Sequence, residues 1–260
     1  MRITGSVTAI GSALLVLALA CSKGEKPSSG EAPSTPAAAP AASSSTTGGT
    51  ITGAVKFLGK PPANPPIDMS EEPKCKAEYS STPHAQEVVV NSNGTLADVF
   101  VYVKSGLPPG AIYTAPTTPV VLDQKACRYK PRVFGIMVGQ PLEIHNSDPL
   151  LHNIKALGKQ NRPFNISQPA AGMTTSRLFT TTEVMLPFEC NVHGWMHAHA
   201  GVLPHPFFSA TGSDGQFTIK SLPAGTYLLE AWHGSYAPET TTVVVQDNDT
   251  KTVSFTFKAQ

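Results

Sequence analysis

The sequence is poor in charge, in long apolar runs and in helical period. Charged residues make up 14% of its 260 residues and the formal net charge is +1. No basic cluster is present, which excludes a nucleic-acid surface built on concentrated Lys and Arg. The N-terminal apolar run, Ala9 to Ala20, is shorter than the roughly 20 residues that a membrane-crossing helix needs. No stretch holds apolar residues at helical spacing for three turns, which speaks against a helical fold. Cysteine is scarce, at positions 21, 75, 127 and 190.

Proline and glycine are plentiful, at 24 and 21 residues, and Thr/Val runs accompany them, as in short strands joined by turns. The length suits one large domain or two ordinary ones. "MRITGSVTAIGSALLVLALAC" opens with one Arg, continues apolar and ends at Cys21. It reads as a secretory signal over residues 1–20, with Cys21 at the cut resembling a bacterial lipoprotein site. An ordinary signal peptide with a nearby cysteine is the alternative. Residues 21–49 are rich in Pro, Ala, Ser and Thr with almost no large apolar side chain. Such a segment buries too little to offset its ordering entropy and reads as a disordered tether. Ser22 favours the outer membrane, so the expected location is lipid-anchored and periplasm-facing.

In an exported protein disulfides persist. A Cys75–Cys127 bridge is therefore expected, pinning the Pro-rich segment 60–84; two unpaired thiols are the alternative.

From Thr50 onward the chain reads as strands. "TITGAVKF" is followed by "LADVFVYVK" (96–104), with Phe100 and Tyr102 on one face and Val99, Val101 and Val103 on the other. "PLEIHN", "SRLFT" and "EVMLPFEC" come next. Asp214-Gly215 signals a hairpin, and Val253, Phe255 and Phe257 alternate in the tail. The expected class is all-β, with antiparallel sheets packed as sandwiches.

The tail "DGQFTIKSLPAGTYLLEAWH" resembles the carboxypeptidase regulatory-like (transthyretin-like) β-sandwich, and "GGTITGAVKFLGKPP" resembles its first strand. The resemblance implies one sandwich completed by both chain ends, residues 50–84 and 204–260, with a second β domain, 85–203, inserted in it. That fold carries no chemistry of its own.

Chemistry gathers in "FECNVHGWMHAHAGV", read against "LEIHNSDPLLHNI" upstream. A strand ends at Cys190; His193 and Met196 follow at intervals of three, and His152 lies 38 residues earlier. One upstream His followed by Cys, His and Met on a single loop is a blue-copper ligand set: thiolate and imidazoles in a plane, with a weak axial thioether. Residues 85–203 resemble the cupredoxins, the plastocyanin and amicyanin group. The short Cys-x2-His-x2-Met loop looks most like amicyanin. The resemblance implies His152, Cys190, His193 and Met196 as ligands of one type 1 copper, with Asn153 tying the two ligand loops together. The whole chain resembles bacterial lipoproteins that join a plastocyanin-like domain to a regulatory-like one. "VLDQKACRYKP" (121–131) is an addition to the cupredoxin pattern.

His145, His197, His199 and His205 are surplus. "HAH" at 197–199 resembles the His-x-His pairs of multicopper oxidases, but one pair beyond the Met reads as surface residues. Leu150, Leu151, Gly194 and Trp195 are expected either to surround an exposed edge of His193, where a redox partner docks, or simply to pack the loop. The resulting expectation is a non-enzymatic electron carrier. A copper carrier or sensor is one alternative, and an interaction protein with an empty metal site is another. A nitrite reductase is disfavoured because a separate three-His site has no evident ligands.

Overall fold

A computed structural model describes residues 47–259. The signal segment, Cys21 and the tether up to residue 46 lie outside the described residues. Among the described residues, no helix is long and apolar enough to cross a membrane.

The chain begins with β1 (Gly49–Leu58), the short helix α1 (Pro73–Ala77) and β2 (Phe100–Ser105). Next come β3 (Val120–Gln124), β4 (Tyr129–Lys130), β5 (Val133–Met137), β6 (Pro141–Asn146) and β7 (His152–Ala156). β8 (Phe164–Gln168), β9 (Met173–Leu178), β10 (Glu183–Glu189) and β11 (His197–Leu203) follow. The tail holds β12 (Phe208–Ala210), β13 (Gln216–Leu222), β14 (Gly225–His233), β15 (Tyr236–Val245) and β16 (Thr250–Lys258). The fold is nearly all-β.

The strands form four sheets, ordered β13-β1-β16, β12-β2-β14-β15, β5-β11-β10-β7-β8 and β4-β3-β6-β9. Three apolar layers hold them together. Ile51, Val55, Phe217, Tyr227, Leu229 and Phe257 fill the space between the first two sheets. Leu122, Ile144, Ile154, Leu186 and Phe188 fill the space between the last two. Phe100, Tyr102, Val133, Met185 and Leu203 join the second sheet to the third. Each fully buried side chain of this size contributes roughly 1.5–3 kcal/mol. The result is two sandwiches stacked face to face.

β1 lies between β13 and β16, antiparallel to the first and parallel to the second. β2 also belongs to this sandwich: it pairs with β12 and β14. The sequence reading placed that strand inside 85–203, and the structure corrects the boundary. β2 is buried on both sides, its valines facing one core and its aromatics the layer between sandwiches. A strand with two apolar faces can lie only between two layers.

The Asp214-Gly215 turn also departs from expectation. Gly215 N–H does bond Gly212 O at 3.0 Å, but the flanking strands enter different sheets. Thr211 is the cause: its buried hydroxyl donates to Leu96 O and accepts from Val99 N–H, holding the chain on the β2 side until the turn begins.

The stacked sheets approach closely because two glycines face each other in register. Gly135 of β5 pairs with Gly201 of β11. A Cβ on Gly135 would meet the Phe208 ring at 2.2 Å, and one on Gly201 would meet the Phe100 ring at 2.2 Å. Rings from one sandwich thus lie on bare backbone of the other. Gly201→Ala is expected to destabilise the protein by about 1–3 kcal/mol through overpacking, measured as the shift of the urea midpoint. An unchanged midpoint would mean that the Phe100 ring has room to move.

Candidate metal centre

Strand parity points the candidate ligands inward. Along β10, Leu186 and Phe188 face the core and Cys190 continues the alternation just past the strand end. Along β7, His152, Ile154 and Ala156 share the inward face. β7 and β10 are neighbours in one sheet and β10 also pairs with β11, so His152, Cys190 and the loop before β11 arrive at the same end. That loop is closed by Met196 N–H to His193 O at 2.9 Å and Cys190 N–H to Met196 O at 3.3 Å.

His152 Nδ1 lies 2.9 Å from His193 Nδ1, and Cys190 Sγ lies 3.7 Å from His193 Nδ1. One ligand atom from each of the three lies within 4.8 Å of the other two. His152 and His193 are 0% exposed, Cys190 4% and Met196 1%. Asn153 Oδ1 accepts the Asn191 N–H at 2.5 Å and stands 3.3 Å from Cys190 Sγ, linking the β7 end to the Cys190 loop. Burial pushes the Cys190 thiol up. The His193 side chain and nearby backbone N–H groups outweigh it and leave the thiol below its ordinary value, favouring thiolate.

The outer edges of both imidazoles are occupied. His152 Nε2 contacts Asp148 Oδ2 at 2.8 Å. The Asp148 carboxylate also accepts N–H bonds from Ala126 (2.8 Å) and Cys127 (2.7 Å). As an acceptor it places the His152 proton on Nε2 and leaves Nδ1 as a lone pair. Across the site, His193 Nε2 faces Cys75 Sγ at 3.6 Å and Glu72 Oε2 at 3.8 Å. Two inward Nδ1 atoms and a low-lying thiol suit a cation that accepts nitrogen and soft sulfur.

Cys75 and Cys127 form a disulfide. It crosslinks residues 52 apart, which contributes about 4 kcal/mol in the chain-entropy account. Its position corrects the expectation for His193, whose edge is not exposed. The bridge holds α1 against that ring, Trp195 Nε1 donates to Cys127 O at 3.0 Å, and Lys74 Nζ donates to Pro149 O at 3.2 Å. Leu150 and Trp195 pack against the core, while Leu151 and Val192 remain exposed, 42% each.

Sequence reasoning missed Asp148 and Glu72. Asp148 had a signal, since Asn146 Oδ1 caps its N–H at 3.0 Å in the Asn-Ser-Asp-Pro turn four residues before His152. Glu72 had none, because its contact spans more than a hundred residues. Of the surplus histidines, His197 is exposed and His145 pairs with Glu143 at 3.1 Å. His205 is buried beside Phe207. His199 was expected at the surface, but its ring packs on Trp232 with centroids 5.0 Å apart, because β11 lies between the two sandwiches.

The family model of the carboxypeptidase regulatory-like domain matches residues 205–258, the stretch from β12 to β16. No curated protein sequence matches the chain. Among solved structures, a copper-containing nitrite reductase from Thermus scotoductus SA-01 aligns at 22% identity and a TM-score of 0.32. The alignment covers 39% of this chain and 26% of that one, so the chain spans about a quarter of that protein. A Cu(I) amicyanin variant aligns at 16% identity and a TM-score of 0.29, over 39% of this chain and 97% of its own. A purple cupredoxin from Nitrosopumilus maritimus aligns at 20% and 0.27, over 32% and 97%. At these scores the alignments carry no weight beside the donor geometry.

His199 and His233 are both lowered to about 4, first by burial, then by the Arg132 charge and a neighbouring histidine. The unfolded chain, with ordinary histidines, binds more protons below about pH 6.5. This share of stability is therefore complete above that pH and drains away as pH falls towards 4. Urea midpoints across this range are expected to fall, and to fall less steeply in His199→Gln. An equal slope in the variant would remove His199 from this account.

Proposed function

We propose that this chain is a type 1 (blue) copper protein that carries single electrons. Its expected setting is the periplasmic side of a bacterial membrane, with a lipid on Cys21. It is not itself an enzyme. The observation that carries the reading is the convergence of His152 Nδ1, Cys190 Sγ and His193 Nδ1 in a site sealed from water. His152, Cys190 and His193 would hold the ion, with Met196 as the weak fourth ligand. Copper bound there would supply a one-electron couple.

The protein's part is to keep that environment fixed. Asp148 holds the His152 ring in one tautomer and one orientation. Asn153 keeps the Cys190 loop beside β7. Glu72 and the Cys75–Cys127 bridge close the His193 side. Little needs to move when charge changes, which suits electron transfer. Complete burial of both histidines opposes ready handover of the ion, which favours an electron carrier over a copper carrier. With the His193 edge covered, a redox partner would dock on the exposed apolar side chains beside the ligands, Leu151 and Val192, through a small, transient contact.

Oxidised, copper-loaded protein is expected to show intense visible absorption from thiolate-to-copper charge transfer and a matching paramagnetic resonance signal. Cys190→Ser should abolish the colour, and Met196→Leu should keep it and change the reduction potential. A colourless loaded protein would sink the reading. Asp148→Asn, checked for folding by circular dichroism, is expected to weaken copper binding about 10- to 100-fold. Unchanged affinity would make the Asp148 contact a matter of packing only.

A further inference from the structure

A crosslink that only tied a loop down could sit anywhere along it, yet this one sits against a candidate ligand. Cys75 Sγ is 3.6 Å from His193 Nε2 and Glu72 Oε2 is 3.8 Å from the same nitrogen. One donor atom from each of Cys75, Cys127 and His193 lies within 4.8 Å of the other two, and all three residues are buried. His193 therefore stands between two donor sets. Its Nδ1 faces Cys190 and His152, and its Nε2 faces Cys75 Sγ, which is bonded to the sulfur of Cys127.

We propose that the opened bridge is a second soft-metal site, in which the thiolates of Cys75 and Cys127 and Nε2 of His193 take up Cu(I). The proposal rests on the copper reading and adds to it the route by which the ion enters a site that is otherwise closed. Opening consumes two electrons and two protons from a dithiol reductant, which is left as its own disulfide; the S–S bond breaks and two thiols form. Thiolate is the ligand that Cu(I) prefers, and binding releases the thiol protons. Reclosure by a disulfide oxidant returns the two electrons to that oxidant. It also removes both sulfurs as ligands, leaving the set around Cys190 as the one that still offers thiolate. The chain then has an open, loading form and a closed, working form, and the shared ring of His193 lies on the boundary between the two sites.

The test uses the folded chain carrying Cys190→Ser, which weakens the inner set. Three forms compete for Cu(I) against bicinchoninate: bridged, opened with a phosphine reductant, and bridge-less through Cys75→Ser with Cys127→Ser. The opened form is expected to bind one Cu(I) per chain more than either of the others. X-ray absorption should find both sulfur and imidazole nitrogen around that ion. Equal uptake by all three forms overturns the proposal. So does a copper bound by sulfur alone, because any unfolded dithiol could bind that way. The visible spectrum of the bridged parent protein reports the inner site separately. Colour without extra uptake sinks the second site alone, and extra uptake without colour sinks the inner reading alone.

Discussion

The site depends on one buried carboxylate. Asp148, 3% exposed, receives His152 Nε2 and the backbone N–H groups of Ala126 and Cys127. A carboxylate removed from water is costly unless its acceptor positions are filled, and here three donors fill them. They come from two parts of the architecture: the His152 ring at the start of β7, and the tight loop in which Ala126 precedes the disulfide cysteine Cys127. The same group that orients His152 therefore anchors the loop carrying Cys127, and through Cys127 the bridge that covers His193. Both imidazole edges are closed by one connected assembly.

That assembly needs a rigid frame, and the stacking of the sandwiches supplies part of it. β11 begins one residue after Met196 and continues into the layer shared with the other sandwich, where Gly201 receives the Phe100 ring. β10 carries a bulge between Glu183 and Leu186, with Met185 at positive φ. A bulge re-aims the strand that follows it. Met185 packs into the layer between sandwiches while Leu186 and Phe188 face the core that includes Cys190 and Met196. The regulatory-like half thus braces the sheet that delivers Cys190 without lending a donor atom to the site.

Local pattern made much of this legible in advance. Alternation along "EVMLPFEC" turns Cys190 inward, and the inward parity of His152, Ile154 and Ala156 does the same for the histidine. The two apolar faces of "VFVYV" were readable as well, although not the consequence that the strand belongs between layers. What stayed hidden depends on contacts distant in sequence. Nothing near Glu72 or Cys75 announces His193, which lies 118 residues beyond Cys75. Gly135 and Gly201 look like ordinary strand glycines until two rings from the other sandwich come to rest on them. His199 reads as a surface residue because its sequence neighbours are small, and Trp232, which covers it, arrives from another sheet.

The two covers over the imidazoles differ in kind, and that difference sets how the site can respond. Asp148 is held by three hydrogen bonds inside the fold, so releasing it means breaking the local structure around Ala126 and Cys127. The Cys75–Cys127 bond is instead opened by reduction, with two electrons and two protons, and α1, which carries Cys75, belongs to none of the four sheets that hold His152 and Cys190. Closure on the His152 side is therefore structural, whereas closure on the His193 side is chemically reversible. A site sealed in this way keeps its candidate ligands fixed while the bridge is intact and has one defined direction from which it can be reached.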